Sequence, residues 1–299
     1  MLKQTDKTFI IACLAPALTL YVVFFVFPAL SALYVSLTDW SGFTPNLEFI
    51  GLRNFRELLV DEHFWSIVMR NTLGIIFIGG IVIFALAFLI SAILSSGIKS
   101  KRLLRSIVFF PNIINPIGLA VMWSFIYERD TGLLNNFLKA IGLGGLTRTW
   151  AAPDRLFWSL LAALIWIYAG FFVVILMAGF DRIPNDVIES AKIEGANDVR
   201  IFFSIKVPMI WDVLTMAIAL WGIMAIKEFA FLYSWGGGQA MPPEGAQNLA
   251  VYMYVMAFGT REPVYRMGYS TAMGVVMLMM VILIVLLVRS LMRRESIEY

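Results

Sequence analysis

The chain has 299 residues, of which 60% are hydrophobic and only 14% charged, with a formal net charge of +3. A soluble domain of this length carries roughly 25% charged residues, so the composition indicates a membrane-embedded protein and excludes an ordinary soluble enzyme fold. The small net charge gives no support for a nucleic-acid-binding surface, and the single cysteine, Cys13, excludes an internal disulfide.

Six stretches are long and apolar enough to cross the ~30 Å hydrocarbon core of a bilayer as helices. In chain order they occupy residues 9–37, 71–97, 106–127, 156–180, 207–233 and 267–289. The sequence therefore predicts an all-α fold class, a polytopic membrane protein with six transmembrane helices. No connection is large enough to fold alone, so we expect a single transmembrane domain over residues 1–299.

Lysine and arginine are unevenly distributed between the two sets of connections. One set, with the N-terminus, the 181–206 loop and the C-terminus, carries 13 basic residues in 51 positions, and the other set carries 9 in 93. Basic residues concentrate on the cytoplasmic side of membrane proteins. Both termini and the 181–206 loop are therefore predicted to be cytoplasmic.

The third span contains Pro111, Asn112, Asn115 and Pro116 within six residues. Prolines remove intrahelical hydrogen bonds, and a membrane tolerates the freed carbonyls where they face protein or a water-filled cavity. Asparagines beside such a break could bind a polar solute. The alternative is a kinked helix–helix contact, and the sequence does not separate the two interpretations.

The fifth span carries a second candidate group for a solute pathway. Lys227 and Glu228 are adjacent, so they point to different faces, and ionisable residues inside spans often mark pathways. Their place near the outer end also allows both to reach the interface. Trp221 and Tyr233 could stack on sugar rings, although aromatic residues at helical spacing more often serve packing.

The sequence of the 181–206 loop predicts two short helices around a turn. Pro184 suits a first helical position, Gly195 can adopt the left-handed conformation that ends a helix, and Asn197 or Asp198 can start the next helix. By spacing alone, the loop could also be an amphipathic helix pair that rests on the bilayer.

The motif in this loop resembles a known family signature. Glu189-Ser190-Ala191, three residues, Gly195, nine residues and then Ile205-Lys206-Val207-Pro208 resembles the EAA motif of ATP-binding-cassette importer permeases, with Ser190 and Val207 as conservative departures. Residues 49–55, 109–116 and 235–238 are similar to stretches of the carbohydrate-importer permeases, related to the maltose and glycerol-3-phosphate transporter subunits. Gln239 departs from their pattern, where a proline often follows the glycines.

The resemblance implies a type I importer permease fold in a bacterial or archaeal cytoplasmic membrane. It also implies a second homologous permease subunit, two ATPase subunits that bind ATP and Mg, and an extracytoplasmic solute-binding protein. The resemblance implies that the 181–206 loop, which we call the coupling loop, docks on an ATPase subunit, with Glu189 as the anchoring charge, Gly195 as the turn, and Ala191 and Ala196 as the docking surface. The residues implied in coupling are Glu189, Ser190, Ala191, Glu194, Gly195, Ala196, Ile205 and Pro208.

No catalytic function is indicated. The chain lacks a phosphate-binding loop motif, and one histidine and one cysteine provide neither a catalytic set nor a metal site, so no cofactor is expected in this chain. The preferred interpretation is a permease subunit for a neutral sugar or oligosaccharide, because a phosphorylated solute would draw in basic residues and only Lys227 qualifies. The alternatives are a glycerol-3-phosphate or other polyol permease and an ion-coupled secondary transporter.

Overall fold

The computed structural model describes residues 4–45, 47–94, 100–235, 241–259 and 264–292, with side chains from residue 9 onward. The motif stretch at 236–238 and Gln239 lie outside the described residues. Within the described ranges the secondary structure is helical, with one isolated antiparallel bridge between Thr38 and Phe49 and no strand. This confirms the all-α fold class.

The helices fall into two kinds, long apolar ones and shorter ones in the connections. In chain order they are α1 (Phe9–Val35), α2 (Arg53–Val60), α3 (Phe64–Leu94), α4 (Lys101–Ile113), α5 (Pro116–Ile126), α6 (Leu133–Ala140), α7 (Leu156–Phe180), α8 (Asn185–Ile193), α9 (Asp198–Ile201, continued by the π-helical turn Phe202–Lys206 and the α-helical turn Val207–Met209), α10 (Trp211–Ile226), α11 (Ala230–Trp235), α12 (Leu249–Phe258) and α13 (Met267–Leu291).

Five stretches of the described chain are long and apolar enough to cross a membrane, and the bent pair α4–α5 makes a sixth. The number of spans agrees with the sequence prediction. The second span differs in its start, since α3 begins at Phe64 and not at residue 71. Arg70, which suggested a later start, is exposed within this continuous helix, because a long arginine side chain can lie along an apolar surface and keep its charge in water.

The third span is broken, as its prolines predict. The axes of α4 and α5 differ by 96°. Ile114 is extended between them, Pro116 opens α5, and the Asn115 side chain accepts a hydrogen bond from the Ile117 amide at 2.9 Å. Asn115 is therefore the N-cap of α5, which is the role that asparagine commonly plays at a helix start.

The fifth span is also interrupted, which its apolar sequence does not predict. Helix α10 ends at Ile226 and α11 begins at Ala230, so Lys227, Glu228 and Phe229 lie in a non-helical break. The Asn248 side chain donates a 2.5 Å hydrogen bond to the Glu228 carbonyl at this break. A buried residue just before α12 thus satisfies a backbone group that the broken helix leaves without its own partner.

The chain divides into two compact units. One comprises residues 1–61 and 253–278, and the other residues 62–252 and 279–299. In the first unit, buried Asn54 donates to the carbonyls of Ser36 and Thr38 at 2.9 and 2.8 Å, which fixes the end of α1 against α2. A Cβ on Gly268 would come within 2.0 Å of the Thr38 oxygen, so only glycine permits this close approach.

Helix α7 forms the centre of the second unit, because most of its length is buried there. Helices α3 and α4 both pack against it. At the crossing with α4, a Cβ on Gly170 would meet the Val108 carbonyl oxygen at 1.8 Å. The two backbones are therefore in direct contact, as small residues allow in membrane helix pairs.

Candidate functional site

The coupling loop folds as the two short helices that the sequence predicts. Helix α8 ends in a Schellman motif, in which the amide of Ala196 donates to the Ala191 carbonyl at 2.9 Å and that of Gly195 to Lys192 at 3.0 Å. Gly195 has φ +85° and supplies the left-handed residue that this motif requires. Asn197 caps α9 through a 2.8 Å bond from the Arg200 amide, so Asn197 and not Asp198 begins the second helix.

Two expectations for this loop need correction. Helix α8 begins at Asn185, so Pro184 is its cap residue and not its first helical residue. Ala191, expected on the docking surface, is only 8% exposed. It lies on the face of α8 that packs inward, because the inward-facing positions of an amphipathic helix need small or apolar side chains.

The surface that the loop presents consists of other residues. Glu189, Ser190, Glu194 and Gly195 are exposed, whereas Ala196, Ile205 and Pro208 are partly covered. Ile193 is 87% exposed and Val199 66% exposed, one on each side of the turn. The turn therefore presents two exposed aliphatic side chains among charged ones, since Ile193 lies between Lys192 and Glu194 and Val199 between Asp198 and Arg200.

The loop is tied to the third span at its first residue. The Asp181 carboxylate accepts hydrogen bonds from Lys101 Nζ at 2.7 Å and from Arg105 Nη2 at 2.9 Å. Partial burial raises the pKa of Asp181, but the bonds from Lys101 and Arg105 outweigh it, so the pKa lies below its usual value. Lys101 and Arg105 are one helical turn apart, and Asp181 therefore connects the end of α7 to the start of α4.

The candidate pathway residues of the fifth span have different environments. Lys227 is exposed, whereas Glu228 is 7% exposed and accepts a 2.5 Å hydrogen bond from the Tyr168 hydroxyl. The expectation that both side chains could reach the interface is wrong for Glu228, because the break turns it into the bundle. A buried carboxyl group requires such a partner.

The other candidate pathway residues include some that pack inside the helix bundle and some that are partly or fully exposed. Trp221 is 3% exposed, its indole N–H donates to the Ile76 carbonyl at 2.9 Å, and it is a packing residue. Tyr233 stacks on Phe229 at a centroid distance of 5.0 Å. Asn112 is half-buried beside the break of the third span, and Asn115 is exposed there.

The sequence did not single out a cluster of aromatic side chains in the second unit. The ring centroid of Trp123 lies 4.9 Å from that of Tyr127 and 5.5 Å from that of Trp166. The ring centroids of Tyr127 and Trp235 are 6.1 Å apart. The Trp123 Nε1 atom is buried and has no hydrogen-bond partner among the described residues. The residues come from three separate segments, so no local periodicity in the sequence connects them.

A buried polar network was also missed. The Asn71 amide donates to the carbonyls of Glu244 and Gln247 at 2.8 and 2.9 Å, and the Thr72 hydroxyl accepts from the Leu249 amide at 2.9 Å. These bonds attach the segment before α12 to the second span. The described residues contain no group of three or more histidine, cysteine or acidic side chains that could hold a metal ion.

Comparisons with known proteins identify the family. Residues 84–296 match the model of the binding-protein-dependent transport system inner membrane component. The chain belongs to this family. It is thus a transport permease and a multi-pass protein of the bacterial or archaeal cytoplasmic membrane.

Two relatives and one solved structure illustrate the similarity. The permease is 30% identical to the diacetylchitobiose uptake system permease NgcF of Streptomyces coelicolor, over 90% of this chain and 78% of the relative. It is 33% identical to the alpha-glucoside transport system permease AglF of Rhizobium meliloti, over 76% and 67%. A chain of a bacterial ABC transporter that imports alginate superposes with a TM-score of 0.78 at 20% identity, covering 98% of both chains, which supports the permease fold.

Proposed function

We propose that this permease forms half of the translocation pathway of an ATP-driven importer for a neutral sugar or oligosaccharide. The observation that carries the proposal is the exposed turn at Gly195, which has the motif spacing, the φ of +85° and the flanking apolar surface that docking on another subunit requires. The names of two relatives support the carbohydrate class, since those permeases take up diacetylchitobiose and alpha-glucosides.

The proposed assembly contains a second homologous permease, two ATPase subunits that bind ATP and Mg, and an extracytoplasmic solute-binding protein. The permease itself hydrolyses nothing; the ATPase subunits close on nucleotide, and the coupling loop transmits this movement as a rigid lever between discrete packings. In this proposal both termini and residues 181–206 are cytoplasmic. Glu189 anchors the loop by charge, and Ile193 and Val199 replace Ala191 as the apolar docking contacts.

The pathway is proposed to lie beside the two broken spans. Asn112 and Asn115 stand at the break of the third span, and Glu228 and Lys227 at the break of the fifth. The aromatic cluster around Trp123 supplies ring faces for stacking on sugars and one buried indole donor without a partner in the described chain. The aromatic faces, the two asparagines and the indole donor suit a neutral carbohydrate better than a phosphorylated polyol, for which Lys227 would be the only basic contact.

Uptake by the reconstituted assembly tests the proposal. With its binding protein and ATP, the assembly should import a neutral saccharide in the absence of an ion gradient, and glycerol-3-phosphate should not compete. The Glu189→Lys variant should lose co-purification with the ATPase subunits, whereas Asp186→Asn, an exposed acidic residue on the same helix, should retain it. Uptake that needs a proton gradient and not ATP would instead establish the secondary-transporter alternative.

A further inference from the structure

A cleft lies between the second span and the coupling loop, within the second unit. It has a volume of about 860 Å³, which is within the range of cavities that hold small molecules. One wall is the last two turns of α3, at Ala85, Phe88, Leu89 and Ala92. We call it the Lys206 cleft. The proposed solute pathway does not use it, and Val199 is its one lining residue that is also assigned to the docking surface.

The α3 wall has the spacing of a single helix face. Ala85, Phe88, Leu89 and Ala92 follow the i, i+3, i+4, i+7 pattern, and the face extends for roughly 10 Å along the helix axis. The two alanines recess the surface between larger side chains. These residues lie near the end of the apolar helix Phe64–Leu94, so the wall belongs to the surface of a candidate membrane span.

The opposite wall and the mouth of the cleft come from the coupling loop. Val199, Phe202 and Phe203 continue the apolar lining, and Phe203 is 66% exposed. Lys192 and Lys206 line the same cleft with one acidic residue, Asp198. An elongated apolar groove thus ends at a predominantly basic mouth, on the edge of the membrane.

The environment of Lys206 at the mouth disfavours its charged form. Burial lowers the pKa of Lys206, and the positive charges of Lys192 and Lys101 lower it further, whereas Asp198 acts in the opposite direction. An anion at the mouth would stabilise the charged form of Lys206 by both Coulomb attraction and hydrogen bonding. Sugars carry no such charge, and a single acidic side chain of another subunit would satisfy Lys206 without filling the apolar groove.

We infer that the Lys206 cleft binds an anionic phospholipid, with one acyl chain along the α3 wall and the phosphate of the headgroup at Lys192 and Lys206. Basic pockets between membrane helices on the cytoplasmic side recognise anionic headgroups by this arrangement. The lipid would fill the space under the coupling loop, so the loop would move against a bound lipid and not against an empty groove.

Native mass spectrometry of the full-length chain in detergent tests the inference, with equal amounts of phosphatidylglycerol and phosphatidylcholine as probes. The wild-type chain should retain phosphatidylglycerol in preference to phosphatidylcholine by about tenfold. The Lys192→Gln/Lys206→Gln variant should lose that preference, whereas Arg182→Gln, an exposed cation of the same loop that does not line the cleft, should keep it. Equal retention of the two lipids by the wild-type chain would overturn the inference.

A second variant separates the acyl chain from the headgroup. Ala92→Phe fills the groove and leaves both lysines in place, so retention of phosphatidylglycerol should fall although the charges are intact. Excess inorganic phosphate should not displace the lipid from the wild-type chain, because phosphate ions gain nothing from the apolar wall. Complete displacement by phosphate would show an ion site and contradict the lipid assignment.

A photo-crosslinker identifies the occupant in the assembled transporter without altering a lysine. Benzoylphenylalanine in place of Phe203, whose side chain is exposed, should crosslink to phospholipid in native membranes. A crosslink to another polypeptide would mean that a protein covers the cleft, and the inference would be rejected. Both results are independent of which solute the permease carries.

Discussion

Gly170 lies in the fourth span, where a Cβ atom would come 1.8 Å from the Val108 carbonyl oxygen, whereas a Cβ on Gly195 in the coupling loop would meet no atom within 4 Å. Gly170 has an ordinary helical backbone, and glycine is required there because the neighbouring helix leaves no room for a side chain. Gly195 has φ +85°, and glycine is required there because other residues rarely adopt this backbone conformation. The bundle therefore uses glycine to bring two parts of this chain together, and the loop uses it to end α8 in an open turn.

Substitution of Gly170 in the helix bundle is expected to have the largest effect on stability. Gly170→Val should prevent α4 and α7 from packing and destabilise the chain by more than the ~1–3 kcal/mol typical of overpacking, because a backbone carbonyl cannot move aside as a side chain can. The amount of protein in the membrane fraction and its thermal unfolding measure this. Gly118→Ala is the matched control, since a Cβ there meets nothing within 4 Å, and a stable Gly170→Val protein would refute the close contact.

Substitution of Gly195 in the coupling loop is expected to uncouple ATP hydrolysis from solute uptake while the protein still folds. Gly195→Asp should insert and assemble but reduce solute uptake by at least about tenfold, while ATP hydrolysis continues without transport, because an added side chain at φ +85° strains the turn and alters the docked surface. Uptake and hydrolysis are measured on the same vesicles. Gly195→Asn sharpens the comparison, since asparagine tolerates the left-handed conformation better and should lose less. Normal uptake by Gly195→Asp would argue against the coupling role.

A third prediction concerns the buried pair at the break of the fifth span. Tyr168→Phe removes the hydroxyl that donates to Glu228 at 2.5 Å and should destabilise the chain by ~1–3 kcal/mol, because the buried carboxyl loses its partner. Glu228→Gln keeps an acceptor for Tyr168 and should cost less. Thermal unfolding in detergent compares the two variants. Equal melting temperatures for Tyr168→Phe and the wild type would show that the pair contributes nothing to stability.

The smallest effect is expected at Asp181. Its carboxylate has a pKa below the usual value, so the ion pairs stabilise the fold above the unfolded-state pKa, and that stabilisation is lost as the pH falls through the folded-state pKa. The side chains of the three residues are 33–44% exposed. Solvent therefore screens the pairs, and the loss of unfolding free energy should stay within ~1 kcal/mol. Melting temperatures between neutral pH and ~pH 3 should fall more for the wild type than for Asp181→Asn. Parallel pH profiles would contradict the assigned shift.

The sequence predicts well what depends on local chemistry. Apolar length gives the spans, the prolines at 111 and 116 give the break of the third span, and Gly195 gives the left-handed end of α8, because each of these follows from the residues at that position. It does not predict the break at Lys227–Phe229. That break depends on Asn248, twenty residues further along, which bonds the Glu228 carbonyl, and no local pattern encodes such a partner.

The environment of individual side chains was harder to predict than the position of helices. Trp221 and Glu228 occupy pathway-like positions by sequence, yet both are buried and bonded within the bundle. Ala191 belongs to the loop motif, yet it faces inward. Hydrophobic pattern alone cannot assign these faces, because in a membrane protein lipid-facing and interior residues are equally apolar.

The link from Asp181 to Lys101 and Arg105 shows which half of the broken third span is attached to the coupling loop. Asp181 begins the coupling loop, and its two partners stand at the start of α4, whose other end is the 96° bend. The first residue of the loop is thereby attached to α4, which also packs directly against α7 at Gly170. The attachment therefore reaches the half of the span that precedes Ile114 and Asn115, and α5 takes its own direction after the bend.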